Sequence, residues 1–119
     1  MALKIAMAVA AIMAVQPAPV ATSTLRLMYE DGSGGPVTVA LTCDPAGGGH
    51  PRAAEACAAL AVVGADPGRL SPGDTYCYLV FRPVTAQVTG VWRGRSVTWR
   101  HTYGNDCELA RATGVLFEF

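Results

Sequence analysis

The sequence predicts an α+β domain, a five-stranded antiparallel sheet with two helices on one face and two disulfides. Three observations carry this. Apolar and polar residues alternate with period two in paired segments. Two short stretches have helical composition with their own start and stop signals. Four cysteines follow an export-like N-terminus. At 119 residues the chain has room for one core and no second domain.

The chain opens M-A-L-K, continues through the apolar I-A-M-A-V-A-A-I-M-A-V, and reaches the small-residue tail Q-P-A-P-V-A. One positive charge, a short apolar stretch and a small-residue tail make the pattern of a secretory signal peptide. The stretch falls short of the ~20 apolar residues of a membrane span. Residues 1–21 are therefore expected to be a signal cleaved near Ala21, and 22–119 an extracellular domain.

In T-S-T-L-R-L-M-Y-E, Leu25, Leu27 and Tyr29 alternate with Arg26, Met28 and Glu30, a strand with one wetter face. D-G-S-G-G-P is a turn. P-V-T-V-A-L-T-C alternates Val37, Val39, Leu41 and Cys43 against Thr38, Ala40 and Thr42, and is expected to pair with the first strand. D-P-A-G-G-G-H-P reads as a flexible loop with Pro51 opening a helix. The alanine-rich helix 52–63 places Cys57, Leu60 and Ala61 on one face and stops at Gly64. V-T-A-Q-V-T-G-V-W-R, G-R and S-V-T-W-R-H-T-Y form a hairpin, with Val97, Trp99, His101 and Tyr103 sharing one face. Asn105 with Glu108 three residues on is a capping-box pattern for a second helix. G-V-L-F-E-F reads as a last strand. The order β-β-α-β-β-α-β argues for an antiparallel sheet covered on one side.

Lys4 is the only lysine, so the domain keeps 8 arginines against 9 acidic residues, a net charge of about −1 with no basic block. Nucleic acid and anionic membranes are excluded as partners on that ground. Cys43, Cys57, Cys77 and Cys107 allow three pairings. Bridges between neighbours would close loops of about 15 and 31 residues and contribute about 3–4 kcal/mol each. Zinc is the competing use, but neither C-x-x-C nor H-x-x-x-H occurs. His50 reads as a residue near the helix start and His101 as an ordinary strand position. Ser71, Asp74 and His101 could be named as a hydrolytic set, but no G-x-S-x-G elbow supports an enzyme. The strand, triple glycine and helix around 41–63 lack the Lys-Ser/Thr of a phosphate cradle. No metal or cofactor is expected.

The stretch G-D-T-Y-C-Y-L-V-F-R-P-V remains. Tyr78-Leu79-Val80-Phe81 could be a short buried strand. The other reading is an exposed segment offered to a protease that favours apolar side chains. Cys77 would tether it on one side, and Pro83 stiffens the other and biases Arg82 towards an extended form. The residues alone leave both readings open.

From about Val37 to Phe119 the chain resembles the Streptomyces-type subtilisin inhibitors, small secreted bacterial inhibitors of serine proteases. The resemblance is carried by A-L-T-C, H-P, A-C-A-A-L and G-A-D, then C-Y-L-V-F-R-P-V, G-V-W-R-G-R, N-D-C-E-L and V-L-F-E-F, with all four cysteines in the family's places. It implies the pairings Cys43–Cys57 and Cys77–Cys107, a homodimer, and a subtilisin-like protease as partner. It also implies a reactive bond at Leu79–Val80, with Tyr78, Phe81 and Arg82 touching the protease and Cys77, Pro83, Asn105 and Cys107 supporting the loop. The family commonly has Pro at the position of Tyr78, Tyr at Phe81 and an acidic residue at Arg82; Arg26 brings a charge into a region the family uses for dimer contact. The alternative from a different class is a secreted binding module that keeps the fold and has lost tight inhibition.

Overall fold

The structure, a computed structural model, describes residues 2–15 and 20–119. Met1 and Gln16–Pro19, all within the expected signal, lie outside the described residues. Residues 2–15 are exposed and carry no regular secondary structure. Among the described residues no helix is long and apolar enough to cross a membrane.

The strand β1 (Ser23–Glu30) alternates as expected, with Leu25 and Leu27 buried and Arg26 exposed. It lies at the centre of the sheet, antiparallel to β2 (Val37–Cys43) on one side and to β4 (Val84–Trp92) on the other. Leu27 faces Val39 and Val88 across its two neighbours, so the inward residues of three strands form one apolar row. β5 (Arg95–Tyr103) completes the hairpin with β4 and forms one edge. The sheet order is β3-β2-β1-β4-β5, where β3 is the two-residue strand Gly47–Gly48.

The fifth strand is not the one the sequence suggested. G-V-L-F-E-F forms a 3-10 turn over Gly114–Phe117 rather than a strand. Leu116 and Phe117, adjacent in sequence, are both buried, which strand alternation forbids and a tight turn allows. Its carbonyls are taken by side chains. His50 bonds Leu116 O through Nε2 at 2.9 Å while its Nδ1 accepts the Arg52 N–H at 2.9 Å, and the Tyr29 hydroxyl donates to Phe119 O. The fifth strand is β3 (Gly47–Gly48), within the stretch expected to be a flexible loop. Gly48 has φ of 88°, and a Cβ there would lie 2.5 Å from Ala40 O, so only glycine pairs this closely with β2.

The helix α1 (Ala53–Val63) begins one residue beyond Arg52 and ends on Gly64 in the left-handed conformation. Its buried face is Ala56, Leu60 and Val63, while Ala61, expected on one face with Leu60, is exposed. With alanine all round, composition gave no periodic contrast from which to orient it. The helix α2 (Asp106–Thr113) buries Leu109 and Thr113. Both helices meet the sheet in one cluster with Leu25, Leu27, Leu41, Val88 and Trp92, so they share a face. The disulfides are Cys43–Cys57, joining β2 to α1, and Cys77–Cys107.

Tyr103 ends β5, where burial raises its phenol above the usual 10.0. Folding favours the neutral phenol, so the stability it contributes is complete below about pH 10 and is lost as pH rises past that value. Tyr103→Phe is expected to shrink the alkaline loss of stability, read from urea midpoints at about pH 9 and pH 11. An unchanged difference between the two midpoints would contradict it.

Candidate functional site

Between Gly73 and β4 the chain has no regular secondary structure. Its apolar residues are not buried: Leu79 is 102% exposed, Phe81 83%, Tyr78 77% and Val80 53%. The buried-strand reading of this run is therefore excluded. An exposed apolar run of this size is a feature of an interaction surface.

Although exposed, the loop is held along its length. The Gly73 N–H donates to Arg111 O at 2.8 Å. Cys77 is bridged to Cys107 in the first turn of α2. Beyond it, the Val80 N–H donates to Tyr78 O at 2.9 Å, closing a three-residue turn with Leu79 at its apex. The Arg82 N–H donates to Gly104 O at 2.8 Å, and Pro83 fixes the backbone before β4 begins.

Asn105 joins the loop to the helix. Its Oδ1 accepts the Glu108 N–H at 2.8 Å, capping α2, and its Nδ2 donates to Val80 O at 2.8 Å and Tyr78 O at 3.3 Å. The side chain is buried and every polar atom of it is used. The reciprocal half of the expected capping box is absent, because the Glu108 carboxylate pairs with Arg111 instead. One residue thus sets the position of a helix start and of the two carbonyls that flank Leu79.

The β1–β2 connection borders the loop's far end. Asp31, Ser33, Phe81, Arg82, Pro83 and Asp106 line a groove of about 540 Å³. The Ser33 hydroxyl and N–H hold the Asp31 carboxyl below its usual 3.8, so it is anionic at neutral pH. Arg82 is exposed in this loop, the one cation of 73–83.

Tyr78, Leu79, Val80, Phe81 and Arg82 thus lie on one outward loop, with Cys77, Pro83, Asn105 and Cys107 beneath or beside it. Cys43 and Cys57 lie apart, under the sheet. With all four cysteines bridged, none is a zinc ligand. His101 packs between Trp99 and Tyr103, whereas Ser71 and Asp74 are exposed in the preceding loop. Sequence reasoning missed Tyr76, whose ring meets that of Tyr78, and the supporting carbonyls of Gly104 and Arg111. Backbone carbonyls leave no sequence signal, but Tyr76 at two residues before Tyr78 was visible as an aromatic i, i+2 pair.

The two jobs of Asn105 are separable. Asn105→Asp keeps a good cap but replaces the amide donors with an oxygen that faces two carbonyls. It is expected to weaken whatever binding the loop supports by about 1–2 kcal/mol, with a smaller change in melting temperature. A loss of stability with unchanged binding would reverse the assignment.

Comparison with known proteins gives a consistent picture. The sequence profile of the family described as subtilisin inhibitor-like matches residues 21–105. Subtilisin inhibitor-like protein 1 of Streptomyces cacaoi is 44% identical over 85 residues, covering 68% of this chain and 77% of that protein. The subtilisin inhibitor of Streptomyces albogriseolus is 42% identical over 83 residues, covering 68% and 58%. A Streptomyces avermitilis relative, 47% identical over 77 residues, is spanned over only 52% of its length. Among solved structures, Streptomyces caespitosus sermetstatin in complex with Bacillus licheniformis subtilisin matches with a TM-score of 0.69 and 31% identity, covering 82% of this chain and 98% of that one.

Proposed function

This chain belongs to the subtilisin inhibitor-like family, and from that premise we propose that residues 22–119 are a secreted inhibitor of subtilisin-like serine proteases with its reactive bond at Leu79–Val80. The observation that carries the proposal is Leu79 fully exposed at the apex of a turn whose backbone is bonded on both sides. Leu79 fills the protease's primary pocket, while Tyr78, Phe81 and Arg82 extend along the cleft, where extended backbone adds as a strand. A contact of this kind buries about 1,600 Å². A loop already held by Asn105, the Cys77–Cys107 bridge and Arg82 N–H has little conformational entropy left to lose on binding.

The same supports explain why such a loop resists turnover. If the protease acylates on Leu79, the new Val80 amine stays beside the acyl group, because Asn105 binds the carbonyls on both sides of the bond. Cys77 and Cys107 also bridge the two sides covalently. Religation therefore competes at high effective concentration with hydrolysis. The protein acts as an inhibitor rather than an enzyme.

Residues 1–21 direct export, and two copies pair through the sheet face turned away from the helices, where Arg26 lies. Titrating subtilisin with residues 22–119 tests the function: activity should fall linearly to zero near one inhibitor chain per protease. No loss at micromolar protein would leave a binding module without inhibition. Sedimentation equilibrium reads the dimer, and N-terminal sequencing of the exported protein reads the cleavage site.

A further inference from the structure

Pro83 fixes the chain on the leaving side of Leu79–Val80, but none of the residues that lead up to the bond on the acyl side, Tyr76, Cys77 and Tyr78, is a proline. These three residues face two ways. Cys77 is half-buried and turns to Cys107. Tyr76 and Tyr78 are 81% and 77% exposed and meet edge to face, with ring centroids 5.6 Å apart and planes at 86°. That is the arrangement aromatic quadrupoles favour. The Tyr78 carbonyl in turn accepts both the Val80 N–H and Asn105 Nδ2. A rotation of the Tyr78 backbone would therefore break the turn that presents Leu79.

We infer that Tyr76 and Tyr78 are a positioning pair, whose ring contact holds the acyl arm in the shape that Leu79 requires. The disulfide restrains the inward side of the arm and the ring pair restrains the outward side. Together they serve where a proline's fixed φ serves beyond the bond. The pair does this in the free protein, so the inference depends on the inhibitory reading only for its effect on binding.

The test has two readouts. In the free protein, Tyr76→Ala and Tyr78→Ala should each lower the backbone ¹H–¹⁵N NOE of Leu79 and Val80 towards that of flexible chain. Tyr76→Phe, which keeps the ring edge, should not. Against subtilisin, Tyr76→Ala should raise Ki about three- to tenfold in the native background, the range of an aromatic pair. In a Tyr78→Pro background, where φ is fixed without the ring, the same change should raise Ki less than about twofold. Equal losses in both backgrounds would mean that Tyr76 binds the protease directly, and the inference would fall. An unchanged NOE in Tyr76→Ala would overturn it as well. If the native chain does not inhibit subtilisin, the functional reading fails while the NOE still decides the pairing.

Discussion

Leu79→Gly is expected to weaken inhibition of subtilisin by about 2–4 kcal/mol, roughly 30- to 1,000-fold, the scale of a buried interface anchor. The side chain is fully exposed in the free protein, so its removal takes nothing from the core. The whole effect should therefore appear in binding, with the melting temperature close to that of the native chain. Specificity follows from the same atom set. A branched apolar side chain suits the large apolar pocket of subtilisin-like proteases but cannot reach a buried acid at the base of a trypsin-like pocket. Leu79→Lys should move the preference towards trypsin by replacing an apolar contact with a charge pair. Arg82 does not substitute for it, because the Arg82–Pro83 bond lacks an N–H on its leaving side and the Arg82 N–H is already bonded to Gly104 O. Unchanged subtilisin inhibition by Leu79→Gly would move the reactive bond elsewhere.

The two disulfides should fail differently. Each closes a loop, 14 residues apart in one case and 30 in the other, and each contributes about 3–4 kcal/mol to stability. Cys43→Ala/Cys57→Ala opens a bond between β2 and α1 beneath the sheet, far along the chain from the loop. Below its lowered melting temperature it should inhibit within about threefold of the native protein. Cys77→Ala/Cys107→Ala frees the segment before Leu79 and removes the covalent strap across the proposed reactive bond. It should lose about tenfold or more in Ki and, on long incubation with subtilisin, accumulate chain cut after Leu79, seen as two fragments on a gel. Equal inhibition constants for the two variants, each assayed while folded, would refute the asymmetry.

Much of this was legible in the sequence, for reasons that can be traced. Leu25, Leu27 and Tyr29 alternate because one sheet face is buried, and so β1, β2 and the β4–β5 hairpin could be read directly. Asn105 announced the start of α2 because its short side chain can accept a hydrogen bond from an N–H in the first turn. The errors fall where side chains carry no contrast. Gly47 and Gly48 form a strand by backbone approach alone, α1 is alanine on every side, and V-L-F-E-F is apolar enough for strand or turn. At the loop, Pro83 and Cys77 were readable constraints, whereas the clamp that Asn105 places on Tyr78 O and Val80 O joins residues 25 and 27 apart through an amide. No local pattern encodes that distance.

The sheet order sets a timetable for synthesis. β1 is made first yet sits in the middle, and its partner β4 lies about sixty residues downstream, as Leu27 opposite Val88 illustrates. Until β4 emerges, one edge of β1 stays open, and the β1–β4 pairing closes a loop of that length, a long-range contact of the kind that slows folding. The loop at Leu79 is translated before its distant supports, since Gly104, Asn105 and Cys107 all follow. A chain truncated before Cys107 would therefore offer a protease an ordinary flexible peptide, lacking both the covalent strap and the bridge's helix that hold the complete loop.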